Sequence, residues 1–230
     1  LSNQTHFETL AMGASAILAD LGYHFCVAFD VHAYNRVVPS DFALPTFGRR
    51  ATPGLLVGNH RGLWEPFLGA LQARPDLVAA ADPLDRYTEQ SVAKSLEGFD
   101  VGVDVRFGHQ SEPSPVAMQQ LAEVAGLAKL TSAHLSVHPV YGPWIALRAA
   151  LVIDLDVQIE TSPAENVCDE QCVARCELAF ERALRATEGR GHAAIRATWQ
   201  AWLEVRDACC SGRGYRYSDD QIGYHYTHDR

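Results

Sequence analysis

The run Leu135-Ser136-Val137-His138-Pro139-Val140-Tyr141-Gly142-Pro143-Trp144-Ile145-Ala146-Leu147-Arg148-Ala149-Ala150-Leu151-Val152-Ile153 sets two apolar segments around one rigid corner. Pro139, Gly142 and Pro143 force a loop between them, and the second segment places Trp144 and Arg148 an even number of residues apart. A strand period of two then puts that ring and that guanidinium on one face. With the His138 imidazole beside the turn, the set has two readings. One is a site for an anion or a flat ligand; the other is a hairpin with a capped core.

Outward from this corner, apolar residues at three- and four-residue spacing predict a helix over Thr5 to Leu21, ended by Gly22. Tyr23 to Val31 reads as a strand, and His32 to Pro53 holds too many breakers for a regular element. Gly54 to Gly58 is a short buried strand, Leu63 to Gln72 a helix, and Asp82-Pro83 a helix start with proline at the first position. Val101, Val103, Val105 and Phe107 alternate as a strand. A helix capped by Ser114 runs from Pro115 to about Lys129. Strands follow over Ser132 to His138 and Trp144 to Val157, then helices over Ala164 to Thr187 and Ala193 to Ala208, then a tyrosine-rich tail. Loops this long, with the longest helices late, fit a doubly wound parallel sheet less well than an α+β fold: a mixed or antiparallel sheet flanked by helices.

With 230 residues and no composition break or repeat, a single domain over 1–230 is expected. Acidic residues outnumber basic ones by 28 to 19, a formal charge of -9, which disfavours nucleic acid or an anionic membrane as partner. No apolar run spans a bilayer and the first segment lacks a signal-peptide pattern. Cysteine spacing does not read as a disulfide framework, so a cytoplasmic, reducing location is expected.

Four constellations stand out. Arg148 and Arg206, with Arg216 and Arg230 as weaker members, form a set of guanidinium forks suited to carboxylates. Trp144, Trp199, Trp202, Tyr215, Tyr217, Tyr224 and Tyr226 are core or a ligand wall. His134, Ser136 and His138 alternate on one strand face. Cys168, Cys172 and Cys176 repeat at four-residue spacing, with Cys209-Cys210 able to approach; helical geometry splays such a row, so no metal is expected there, with zinc, copper or an iron–sulfur cluster on Cys168, Cys172 and Cys176 as the alternative. The adjacent acidic pairs Asp169-Glu170 and Asp219-Asp220 point different ways and carry no hydrolytic signature.

His138-Pro139 followed by Gly142, Trp144, Ala146 and Arg148 resembles the H-P-x-x-G-x-W-x-A-x-R stretch of the cobalamin-processing family whose loss causes combined methylmalonic aciduria and homocystinuria, type C. Matching blocks recur in order: Ala33-Tyr34-Asn35, Asp82-Pro83-Leu84-Asp85, Val124-Ala125-Gly126, Trp199-Gln200-Ala201-Trp202 with Arg206-Asp207, and Arg216-Tyr217-Ser218-Asp219-Asp220-Gln221. Glu123 stands where the family carries a histidine. The resemblance implies a flavin-dependent nitroreductase type of α+β fold and an enzyme that removes the upper ligand of cobalamin. That enzyme is a cyanocobalamin reductase using reduced flavin, FMN or FAD, and an alkylcobalamin dealkylase using glutathione.

The same resemblance implies that Trp144 and Trp202 wall a corrinoid cavity, and His134, Ser136, His138, Tyr141 and Tyr217 join them as candidate corrinoid contacts. It carries the holding of glutathione onto Arg148 and Arg206, which would be catalytic; Arg216 and Arg230 are weaker candidates for the same thiol, and a downstream cobalamin-trafficking protein would be the partner. Two alternatives stay open: a non-catalytic cobalamin carrier or chaperone, and a flavin- or metal-dependent reductase of the same fold.

Overall fold

The computed structural model describes residues 2–188 and 191–227. In chain order the elements are α1 (Asn3–Asp20), β1 (Phe25–Asp30), α2 (Val31–Asn35), β2 (Pro53–Asn59), α3 (Trp64–Ala73), α4 (Pro75–Val78), α5 (Pro83–Ser95), β3 (Val103–Phe107) and α6 (Met118–Val124). They continue as β4 (Lys129–Leu130), β5 (Ser136–Val137), β6 (Ala146–Ile153), α7 (Glu170–Ala186), α8 (His192–Ala197), α9 (Trp199–Ala208) and α10 (Asp219–Thr227). The chain forms two compact units, Leu1–Leu127 with Ala146–Ala164 and Ala128–Ile145 with Glu165–Arg230. No helix of the described residues is long and apolar enough to cross a membrane.

The first unit is built on a four-stranded sheet in the order β1-β2-β6-β3, antiparallel at every pairing. Interior strand β2 is buried along its whole length, as its apolar run Leu55-Leu56-Val57 demands. Opposite Phe29 in the ladder sits Gly54, where a Cβ would meet the Phe29 ring at 2.3 Å, so only glycine lets the ring lie across the strand. The buried stripe of α1 is Phe7, Leu10, Ala14 and Leu18, at the expected spacing, and Gly22 turns the chain at φ 91°. Asp82 caps α5 by accepting from the Asp85 N–H at 3.1 Å, with Pro83 at the first position. Tyr87 donates its hydroxyl to the Leu21 carbonyl at 3.0 Å, tying α5 to the end of α1.

The loop from His32 to Pro53 is better ordered than its breakers predict. Asp30 caps α2 through the Ala33 N–H at 2.9 Å, and the Asn35 amide pairs with both backbone groups of Leu44, each at 2.9 Å. Two expectations need correcting in this unit. Ser114 does not cap a helix: its hydroxyl accepts from Arg106 at 2.7 Å, and α6 starts only at Met118 with no side-chain cap. The last strand begins at Ala146, so Trp144 lies outside it.

In the second unit, β4 and β5 pair antiparallel and His138 bridges Gly142 across the predicted corner. Its core gathers Ala133, Val137, Cys172, Cys176, Ala179, Ala183, Val205 and Cys209, and a second cluster forms from Trp144, Tyr217 and Ile222. Helix α7 starts at Glu170 behind an Asp169 cap rather than at Ala164. The single helix expected over Ala193 to Ala208 is two, because Thr198 leaves the helical conformation at ψ 28°. The tyrosine-rich tail folds as α10, which buries Ile222 and Tyr224.

Candidate functional site

In the first unit the feature that stands out is Arg148. The β2–β6 ladder shifts register between Val57, opposite Ala149, and Gly58, opposite Leu147, leaving Arg148 as the unmatched residue of a bulge. Its carbonyl still accepts from the Gly108 N–H at 2.8 Å. Its guanidinium donates from Nε to Oδ1 of the fully buried Asn59 at 2.9 Å. Nη2 is buried and has no hydrogen-bond partner among the described residues. A buried donor left in this state costs about 1–3 kcal/mol, more when charged, and a water or a ligand atom would offset that cost. Burial and then Asp82 hold the Asp85 carboxyl above its ordinary range, and the Arg148 charge partly opposes that rise. Asp85 and Glu89 flank His109, at 3.4 and 3.2 Å from its two ring nitrogens.

The second unit places the corner residues. His138 Nδ1 accepts from the N–H groups of Val140 and Tyr141, at 3.0 and 3.2 Å. That fixes Nδ1 as an acceptor and puts the proton of the neutral ring on Nε2; burial lowers the pKa further. Gly142 sits at φ 57°, where a Cβ would lie 2.2 Å from the Ser211 carbonyl oxygen, and Gly212 is equally pressed against Tyr141. Two backbone segments meet at glycine on both sides.

Trp144 is 2% exposed. Its ring packs on Tyr217 at 5.5 Å and under the Arg206 guanidinium at 4.8 Å. Arg206 donates from Nε to the Pro143 carbonyl at 3.1 Å and from Nη2 to the Ile145 carbonyl at 3.2 Å. It thus holds the Pro143 to Ile145 backbone as well as the tryptophan. Arg216 makes surface ion pairs with Asp207 at 2.8 Å and Asp219 at 3.0 Å. Tyr141 packs edge-on against Tyr215 at 4.7 Å. Arg230 lies outside the described residues.

The expectation that His134, Ser136 and His138 share a strand face is corrected, because only Ser136 belongs to β5. His134 sits in a turn at φ 55° and His138 at the corner. Ser136 Oγ is buried with no hydrogen-bond partner among the described residues. The pairing of Trp144 with Arg148 on one strand face is corrected as well: Trp144 precedes the strand and the bulge shifts the parity at Arg148. Trp202 and His134 line a cleft of about 230 Å³ together with Phe180, Val205, Arg206 and Tyr226. Trp202 is oriented there by donating Nε1–H to Thr187 at 3.0 Å. Sequence reasoning missed Asn59. Its only signal was a polar side chain closing a buried strand.

All six cysteines are free thiols. The row Cys168, Cys172, Cys176 is not the set that converges most tightly. Cys168 precedes α7, whose cap Asp169 accepts from the Cys172 N–H at 2.7 Å. Cys209, at the end of α9, completes a trio in which the sulfurs of Cys168, Cys172 and Cys209 lie within 4.8 Å of one another. Cys176 hydrogen-bonds to Cys209 and Cys172, and the Cys210 N–H donates to Cys172 Sγ at 3.0 Å. Hydrogen bonding from Cys176 draws the Cys209 thiol down, and the same contact with burial pushes Cys176 up.

The antiparallel sheet with its flanking helices defines an α+β fold of the flavin-dependent nitroreductase type. The chain shares this fold with a B12-trafficking protein of C. elegans, CblC, a homologue of human MMACHC. The match has a TM-score of 0.72 with 19% identity, and covers 96% of this chain and 92% of that one. Epoxyqueuosine reductase from Bacillus subtilis matches at a TM-score of 0.52 with 13% identity, covering 94% of this chain and 68% of that one. An epoxyqueuosine reductase bound to an epoxyqueuosine-modified tRNA-Tyr stem loop matches at 0.51 with 14% identity, with the same coverage. No protein-family model and no curated protein matches the sequence.

Proposed function

We propose that residues 1–230 act as one cobalamin-processing domain, which takes a cobalamin with its lower base detached from cobalt and removes the upper ligand. The observation that carries this reading is the buried, unpartnered Nη2 of Arg148, within the matched H-P-x-x-G-x-W-x-A-x-R stretch. It is supported by a fold shared with a B12-trafficking protein over 96% of the chain.

In this reading Arg148 takes a glutathione carboxylate on Nη2 while Asn59 fixes the guanidinium through Nε. The glutathione thiolate attacks the alkyl carbon. The carbon–cobalt bond breaks with both electrons staying on cobalt, giving a thioether and cob(I)alamin. A cyano ligand leaves instead as cyanide after an electron from reduced flavin, FMN or FAD, reaches cobalt. Detaching the lower base removes electron donation and makes that reduction easier.

Arg206 orients the corner that carries Trp144. His134, Ser136, His138, Tyr141, Trp202 and Tyr217 complete the proposed corrin contacts, with Arg216 and Arg230 at the thiol's second carboxylate. A cytoplasmic location and hand-over to a downstream cobalamin-trafficking protein belong to the same reading. Absorbance spectra of methylcobalamin and cyanocobalamin with the protein, then with glutathione or reduced flavin added, test it. Tight binding without thiol- or flavin-dependent change makes the protein a carrier; no binding removes the proposal.

A further inference from the structure

None of the cysteines clustered in the second unit has a part in this function. We propose that Cys168, Cys172, Cys176 and Cys209 form a closed tetrathiolate site for a single zinc ion. A tetrahedral ion with bonds of about 2.3 Å to sulfur holds its ligand sulfurs about 3.8 Å apart. The Cys168, Cys172 and Cys209 sulfurs already lie within 4.8 Å of one another, and Cys176 hydrogen-bonds to two of the four. Cys172 and Cys176 face the same side of α7 one turn apart, Cys168 arrives from the turn before that helix, and Cys209 comes from the end of α9.

The surroundings suit a negatively charged thiolate centre. The Cys210 N–H points at Cys172 Sγ at 3.0 Å, the Ser211 backbone hydrogen-bonds Cys209, and the first turn of α7 brings its positive dipole end to Cys172. Cys172, Cys176 and Cys209 are buried, which leaves no open coordination position of the kind a catalytic zinc keeps. An iron–sulfur cube sets each thiolate on a different iron and spreads the four sulfurs farther than these are. The ion would pin the chain after α9, including Ser211 and Gly212, which pack on Tyr141 and Gly142. Its role is therefore to stiffen the corner.

The test uses the full chain, purified untagged under reducing conditions, with no corrin present. Elemental analysis should give one zinc per chain. Cobalt(II) added to the chelator-stripped protein should give the intense visible bands of a tetrahedral thiolate site, bleached by one equivalent of zinc. Zinc should also protect four of the six thiols from a thiol reagent and raise the melting temperature. Cys168→Ser, at the half-buried edge, should lose the cobalt bands and weaken zinc at least tenfold while keeping its circular dichroism. Cys168→His should restore binding, and Cys26→Ser should change nothing. A folded protein in which six thiols react freely with or without zinc overturns the proposal, as does a disulfide within the cluster or bound iron with inorganic sulfide. None of these readouts depends on cobalamin, so the site and the proposed function stand or fall separately.

Discussion

Arg148 and Asn59 form a single hydrogen bond of 2.9 Å, from Nε to Oδ1, that fixes a guanidinium at a strand bulge with its Nη2 buried and unanswered. Arg206 instead turns Nε and Nη2 onto backbone, donating to the Pro143 and Ile145 carbonyls. The contrast is the basis on which Arg148 is proposed as the guanidinium that meets a ligand.

Arg148→Lys keeps the charge and removes the fork. The variant should fold and bind the corrin as before, while glutathione-dependent dealkylation at limiting glutathione falls about tenfold or more, the effect of losing a charge-assisted bond of about 1.5–3 kcal/mol. Flavin-driven loss of cyanide should fall much less. Steady-state rates with both substrates check this; equal losses in the two reactions assign Arg148 to structure alone.

Asn59→Asp is nearly isosteric and sets a carboxylate where Oδ1 now meets Nε at 2.9 Å. The carboxylate neutralises the anion-binding character of Arg148, but it loses the Asn59 Nδ2–H donation to the His60 carbonyl at 2.9 Å, so the melting temperature should fall. The KM for glutathione should rise several-fold with little change in corrin affinity. An unchanged KM would show that no carboxylate is taken at Arg148.

The corner should be pH-sensitive through His138. Burial holds its pKa below the ordinary 6.5, and the neutral ring accepts two backbone N–H groups at Nδ1. The folded protein binds this proton less tightly than the unfolded chain. The stability His138 contributes is therefore fully present above pH 6.5 and lost as pH falls through the folded value. Burial lowers His24 in the same sense. Denaturant unfolding over this range should show stability dropping with pH. His138→Asn, which keeps an acceptor but cannot titrate, should remove part of that slope; an identical slope in the variant would refute the assignment.

Much of the fold was legible where local chemistry is decisive. The Asp82-Pro83 cap, the stripe of α1 ended by Gly22 and the alternation through β3 all follow from short-range rules. The bulge at Arg148 was not legible, because it is set by the register of β2, a strand about ninety residues upstream. The corner was recognisable from its prolines and Gly142, but the period-two rule was carried across a boundary that only the ladder defines. Cysteine spacing placed Cys172 and Cys176 on one helix but put Cys168 there too, which lies before α7, and it named Cys209 only as able to approach, because its place depends on the packing of α9 on α7. Thr198, with its hydroxyl accepting from or donating to Thr187 at 2.8 Å, breaks a helix that propensity alone would continue.

The most direct test of cobalamin processing is the absorbance spectrum of methylcobalamin titrated with the protein, followed by addition of glutathione. The account predicts a shift to shorter wavelength at micromolar protein as the lower base leaves cobalt, and then, with the thiol, conversion to the spectrum of the dealkylated corrinoid. A spectrum that stays unchanged throughout the titration contradicts it.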